Sequence, residues 1–109
     1  MDLPCDDSTA TFTDYAQVVC DALAGYDDVI LVGHSMGGQT IPLVAARRPV
    51  KHLVYLCALV PQVGHSLGEQ VVREPTMLRE GWDTALGPDR KGRTVWSDRE
   101  RTRELLYAV

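Results

Sequence analysis

Cysteine is scarce in this sequence and has no paired spacing. The three cysteines are Cys5, Cys20 and Cys57, and no two of them form a C-x-x-C pair. An odd number without that spacing is typical of neither a disulfide framework nor a zinc site. We therefore expect reduced thiols, no bound metal or cofactor, and a cytoplasmic location.

Long apolar runs and excess positive charge are also missing. No stretch approaches the roughly 20 apolar residues of a membrane span, and the first four residues, M-D-L-P, have neither positive charge nor an apolar signal core. Eleven Lys and Arg residues stand against 15 Asp and Glu residues, which gives a net charge of -4. Because nucleic acids and anionic membranes attract clustered positive charge, the sequence predicts that neither is a partner.

What the sequence does contain is enough apolar residues, 45% of 109, for the core of one small domain. Its most informative stretch is residues 29–38, V-I-L-V-G-H-S-M-G-G. An apolar run followed by G-x-S-x-G is typical of a serine on a sharp turn between a strand and a helix. Ser35 is then a candidate nucleophile, and the backbone N–H of Met36 a candidate donor to an oxyanion. Gly33 and Gly37 are interpreted as positions where the turn is too tight for a β-carbon.

This stretch has two other interpretations. Gly33 and Gly38 match the outer glycines of the dinucleotide fingerprint G-x-G-x-x-G, but Ser35 occupies the middle position, and residues 53–58 contain no carboxylate to hold a ribose. The other alternative is a strand, turn and helix without chemistry, since a bare G-x-S-x-G arises by chance. The apolar strand before Ser35 and the helical pattern after it favour the nucleophile.

The G-H-S-M-G-G motif after an apolar strand, with D-L-P at residues 2–4 and L-V-Y-L at residues 53–56, resembles the α/β-hydrolase superfamily, in its esterase-like and hydroxynitrile-lyase-like branch. The resemblance covers roughly residues 2–65. It implies that Ser35 is the nucleophile and Met36 one oxyanion donor. It also implies a truncated central portion of that fold, because the family's acid and base follow later strands that the sequence lacks.

The predicted fold class is α/β, a partial hydrolase core over residues 1–62 followed by a helical, cap-like segment over residues 63–109. In the core, a helix begins at a capping box of Thr11 and Asp14. Strand 29–32 is apolar at every position and is predicted to be buried on both faces. A helix over residues 36–47, bent at Pro42, leads to a second, parallel strand over residues 50–58.

After Pro61 no further strand is predicted. Capping boxes of Ser66 with Glu69 and of Ser97 with Glu100 predict two helices, the second over residues 98–108. Residues between them are rich in glycine and proline and are predicted to form loops.

Three histidines are candidates for the base that a serine nucleophile needs. His34 is adjacent to Ser35, where neighbouring side chains diverge, and His52 begins a strand at the opposite end of the sheet. His65 follows the end of the second strand, on the same edge as Ser35, and is the best candidate. None of the acids downstream is specific enough to complete a triad, so the sequence shows no clear acid and base.

The predicted function is therefore a serine hydrolase acting on a small ester, amide or thioester through Ser35. The alternatives are a non-catalytic remnant or interaction module with a hydrolase-like core, and a hydroxynitrile-lyase-like enzyme. The expected partner is a small-molecule substrate. Unpaired sheet edges also predict self-association.

Overall fold

The structure is a computed structural model that describes residues 1–107. Its main elements, in chain order, are α1 (Phe12–Ala22), β1 (Ile30–Ser35), a 3-10 helix (Met36–Gln39), α2 (Ile41–Ala45), β2 (His52–Ala58), α3 (Leu67–Arg73), β3 (Leu86–Pro88), β4 (Thr94–Trp96) and α4 (Arg99–Tyr107). The predicted end of the last helix, Ala108, lies outside the described residues. The chain divides into one compact unit of Met1–Gln70 and a second from Val71 onward. The division into domains 1–62 and 63–109 stays a prediction.

Helix α1 begins at the predicted capping box. The Thr11 hydroxyl accepts from the backbone N–H of Asp14, and the Asp14 carboxylate accepts from the Thr11 backbone N–H at 2.8 Å. The buried side of α1 includes Ala16 and Val19, which pack with residues of β1 and α2. The core of the first unit consists of Ala16, Val19, Leu31, Ile41 and Val44.

Strands β1 and β2 are parallel, as predicted, and form a two-stranded sheet. Leu31 on β1 belongs to the core formed with α1 and α2. The opposite side of the sheet is not buried, which corrects the prediction of a strand covered on both faces. The register of the two strands places four apolar side chains on this side of the sheet, and they are 41–58% exposed. We call this surface the open face; it consists of Ile30, Val32, Val54 and Leu56.

The predicted continuous helix over residues 36–47 is wrong in its length and form. The chain forms the 3-10 helix Met36–Gln39 and then the short helix α2, with Thr40 at the junction. Pro42 lies in the first turn of α2, where its missing N–H breaks no intrahelical hydrogen bond. The helix is therefore not bent at Pro42 but interrupted at Thr40, two residues earlier.

The second unit corrects two predictions. Strands β3 and β4 form an antiparallel hairpin in a segment predicted to contain no strand. Helix α4 is capped by Asp98, whose carboxylate accepts from the backbone N–H of Arg101 at 2.9 Å, and not by Ser97 with Glu100. By contrast, the box of Ser66 with Glu69 is confirmed in the first unit, since the two exchange backbone and side-chain hydrogen bonds at the start of α3.

No helix among the described residues is long and apolar enough to cross a membrane.

The open face is a surface through which the chain can associate with other chains. Apolar strand faces and unpaired strand edges attract other chains, because burying them removes apolar area from water and satisfies backbone groups.

We expect the purified chain to self-associate through the open face. The double variant Ile30→Lys/Leu56→Lys should shift the population towards monomer in size-exclusion chromatography with light scattering, because two buried charges without partners oppose association. Val63→Lys is the matched control, since Val63 is fully exposed at 100% in a loop outside this face. A wild-type chain that is monomeric at the same concentration would contradict the prediction.

Candidate functional site

The central feature of the site is the backbone at Ser35. Its φ of 53° and ψ of -122° place a non-glycine residue in a region that L-residues rarely adopt. Holding a residue in such a conformation costs on the order of 1–3 kcal/mol and persists only where the surroundings enforce it. Ser35 is the last residue of β1, and the 3-10 helix begins at Met36, so the strain falls at the turn between strand and helix. Its side chain is exposed.

Two glycines make this turn sterically feasible. A β-carbon at Gly33 would come within 2.9 Å of the Gly37 backbone, and one at Gly38 would come within 2.3 Å of the Leu59 carbonyl oxygen. A β-carbon at Gly37 would meet nothing within 4 Å. The prediction that Gly37 must be glycine is therefore wrong. The steric requirement falls on Gly33, as predicted, and on Gly38.

The end of β2 supports the turn from the neighbouring strand. Leu59 donates its backbone N–H to the Ser35 carbonyl oxygen at 3.0 Å. The register shifts between His34 and Ser35, so that Ser35 pairs with Ala58 and Cys57 is left as an extra residue with a φ of 43°. Such a bulge re-aims the chain at the end of a strand. Two residues with positive φ therefore lie at the same point of the sheet, one on each strand.

Ser35 and Met36 line a cavity of about 410 Å³, a volume in the range of small-molecule sites. The lining is mostly apolar and lies entirely in the first unit; it consists of Met1, Leu3, Cys5, Tyr15, Val19, Leu31, Val32, Gly33, His34, Ser35, Met36, Gly37, Thr40 and Ile41. No Asp, Glu, Lys or Arg side chain of the described residues is among them.

Two hydroxyl groups of this lining were not predicted as site residues. Burial raises the pKa of the Tyr15 phenol, and a side-chain hydrogen bond with Cys5 raises it further. Thr40 is 3% exposed, and its Oγ1 has no hydrogen-bond partner within the described part of the chain.

The three histidines lie at different places. His34 lines the cavity next to Ser35, while His52 begins β2 at the other end of the sheet, paired with Ile30. His65 lies in the loop before α3, donates its backbone N–H to the Gln62 carbonyl oxygen, and is not part of the cavity lining. The structure thus brings Ser35 and Met36 together and leaves His65 outside the cavity.

A carboxylate does lie near His65. Hydrogen bonds from the backbone and hydroxyl of Ser66 lower the pKa of Glu69, and the charge of His65 lowers it further. In serine hydrolases a carboxylate beside the histidine holds the imidazole in the orientation that it needs as a base. Within residues 1–107, no group of three or more His, Cys, Asp or Glu side chains could hold a metal ion.

Comparison with known proteins identifies the family. The sequence pattern of the Alpha/beta hydrolase family matches residues 1–108, which is almost the whole chain. The protein therefore belongs to that family, and its partial α/β core agrees with this assignment.

Two curated relatives carry esterase names. The chain is 58% identical over 43 residues to a "Carbendazim hydrolyzing esterase" of Nocardioides sp. (strain SG-4G), a match that covers 38% of this chain and 18% of the relative. It is 35% identical over 68 residues to "Esterase PIR7B" of Oryza sativa subsp. japonica, covering 57% of this chain and 25% of the relative. The matches thus span a quarter or less of these relatives. No solved structure matches significantly.

Proposed function

We propose that Ser35 is the nucleophile and the Met36 backbone N–H an oxyanion donor of a serine esterase. The observation that carries this proposal is the strained conformation of Ser35, at φ 53° and ψ -122°, between a strand and a helix. Strain of this kind concentrates at functional sites, because ordinary folding gives no reason to retain it. In this family context the Ser35 turn corresponds to a nucleophile elbow, which lifts a serine hydroxyl above the edge of a sheet.

The proposed mechanism gives each group a role in acyl transfer. Ser35 Oγ attacks the carbonyl carbon of an ester and forms a C–O bond while its proton passes to a base. The negative charge that develops on the carbonyl oxygen is stabilised by the backbone N–H of Met36, the first residue of the 3-10 helix that follows Ser35. The base gives this proton to the leaving alcohol as the ester C–O bond breaks. Water then attacks the acyl carbon while the base takes its proton, the bond from that carbon to Ser35 Oγ breaks, and Oγ takes up the proton as the acid leaves. We propose His65 as the base.

The proposed substrate is a small, uncharged ester, amide or thioester. The cavity beside Ser35 has few polar atoms and no charged side chain of the described residues in its lining. A charged substrate group would lose hydration there without gaining an ion pair, which costs free energy. The esterase names of the two relatives support the ester among these three classes.

A fluorophosphonate probe tests the proposal, because it forms a covalent bond with activated serines. We expect a single adduct, mapped to Ser35 by peptide mass spectrometry, and no adduct in Ser35→Ala. Ser8→Ala is the matched control, since Ser8 lies in an exposed loop and should leave labelling unchanged. An adduct on another serine, or labelling that survives Ser35→Ala, would refute the assignment of the nucleophile. No labelling of the wild-type chain would favour a non-catalytic module.

A further inference from the structure

Two glutamines next to the Ser35 turn are buried, which is unusual for this residue type. Gln39 is 5% exposed and is the last residue of the 3-10 helix that follows Ser35. Gln70 is 4% exposed and lies on α3. Burying a side-chain amide is costly unless its polar atoms are hydrogen-bonded. These two amides are partners of each other, since Gln39 Nε2 donates to Gln70 Oε1 at 3.4 Å.

The second bond of Gln70 leads back to the end of β2. Gln70 Nε2 donates to the Val60 carbonyl oxygen at 2.7 Å. Val60 follows Leu59, whose backbone N–H bonds the Ser35 carbonyl oxygen at 3.0 Å. The contacts therefore form a closed ring that runs from Ser35 along the 3-10 helix to Gln39, across to Gln70, and through Val60 and Leu59 back to Ser35.

A closed ring of this kind restrains both sides of the strained residue. The 3-10 helix carries the Met36 amide and has only four residues, so its own hydrogen bonds hold it weakly. Without an external restraint, Ser35 could relax to an ordinary φ by rotating this segment away from β2. The Gln39 to Gln70 bond opposes that rotation at the far end of the segment.

We propose that Gln70 is a positioning residue for Ser35 and the Met36 amide, acting through Gln39 and the Val60 carbonyl. This inference rests on the proposed function of Ser35, but the restraint on the 3-10 helix is a property of the structure alone. The two can therefore be tested separately, by hydrogen exchange for the restraint and by serine labelling for the chemistry.

The test compares Gln70→Met, Gln39→Met and the double variant. Methionine keeps an unbranched side chain of similar size and removes the amide. Each single variant leaves one buried amide without its partner and should lower the thermal midpoint. The double variant removes both amides and should recover that part of the loss, while the Val60 carbonyl lacks its donor in Gln70→Met and in the double variant alike. Gln17→Met, on the exposed side of α1, is the matched control for the same chemical change.

We expect all three variants at the ring to label more slowly with fluorophosphonate, by at least about tenfold, because a displacement near 1 Å costs up to roughly 10²-fold in rate. The fraction of protein that finally labels should stay unchanged. Amide hydrogen exchange in the segment 36–40 should become faster in the same variants. The double variant is decisive, since it should have a higher thermal midpoint than Gln70→Met and should still label slowly.

A purely structural role predicts a different pattern. In that case the labelling rate would recover together with stability in the double variant, and the positioning role would be overturned. Faster exchange in segment 36–40 without any labelling of wild-type Ser35 would instead refute the proposed function and leave the restraint standing. Unchanged exchange and an unchanged labelling rate in Gln70→Met would refute the restraint itself.

Discussion

Gly38→Ala should abolish fluorophosphonate labelling of Ser35 and lower the free energy of unfolding by about 3 kcal/mol, the upper end of the usual cost of overpacking. The added β-carbon would lie 2.3 Å from the Leu59 carbonyl oxygen and 3.0 Å from the Ala58 β-carbon. Both contacts involve the end of β2, where neither backbone nor a methyl group can rotate away. The 3-10 helix must then move from β2, and the bond between Leu59 and Ser35 must lengthen or break.

Gly37→Ala is the matched control, one residue away in the same helix. Its β-carbon would meet nothing within 4 Å, and alanine is favoured over glycine in helices by roughly 0.5–1 kcal/mol. We expect unchanged labelling and unchanged or slightly higher stability in urea denaturation. Equal losses in Gly37→Ala and Gly38→Ala would contradict the assignment of the steric requirement to Gly38.

The difference between these two glycines shows how far the sequence could predict the site. The G-x-S-x-G motif correctly placed Ser35 at the junction of a strand and a helix, because that junction depends on local residue types. It gave no information on Leu59, which is distant in sequence and comes to the turn only through the pairing of β1 with β2. Close approach of two backbones is a tertiary property, so the motif could not tell Gly37 from Gly38.

Local hydrogen bonds were predictable for the same reason. The capping boxes at Thr11 and Ser66 need residues only three positions apart and were confirmed. The apolar pattern of residues 29–32 predicted a strand correctly, but its predicted burial on both faces was wrong. Burial of the second face depends on what packs there, and Val32 remains 58% exposed.

The hairpin of β3 and β4 was not predicted because its residue types are unfavourable in strands. Gly87 and Pro88 are depleted in strands, and each strand has only three residues. The turn is held by Asp89, whose carboxylate accepts from the backbone N–H of Lys91 and of Arg93 at 2.8 and 2.9 Å. Arg93 Nε also donates to it at 2.7 Å. Backbone bonds also close the turn, from Asp89 N–H to the Arg93 carbonyl oxygen at 2.8 Å and from Gly92 N–H to the Asp89 carbonyl oxygen at 3.0 Å. These bonds do not depend on strand propensity, so the residue types of the segment are typical of a loop.

The burial of the two glutamines could not be predicted from the sequence either. Glutamine is usually exposed, and neither Gln39 nor Gln70 belongs to a known motif. Only the tertiary contact of Gln70 with Gln39 makes a buried amide pair favourable. A glutamine directly after a glycine-rich turn gives no sign of such a partner 31 residues later.

His65→Gln should slow fluorophosphonate labelling of Ser35 by at least roughly 10²-fold, the smaller end of what a general base contributes. His65 is the histidine that follows the end of β2, and the same end of β2 bonds Ser35 through Leu59. The Glu69 carboxylate lies close enough for the charge of His65 to lower its pKa. A base assisted by a carboxylate is the arrangement that serine hydrolysis requires.

The position of His65 outside the cavity makes this prediction a strict test of its role as the base. His65 does not line the cavity beside Ser35, so the imidazole reaches the hydroxyl only if the loop before α3 moves inward when a ligand binds, as catalytic hydrogen bonds often tighten in the complex. His52→Gln is the matched control, because His52 lies at the opposite end of the same sheet and should label at the wild-type rate. If His65→Gln labels as fast as His52→Gln while Ser35→Ala does not label, the base that activates Ser35 is another group, and the loop before α3 has no part in the proton transfer.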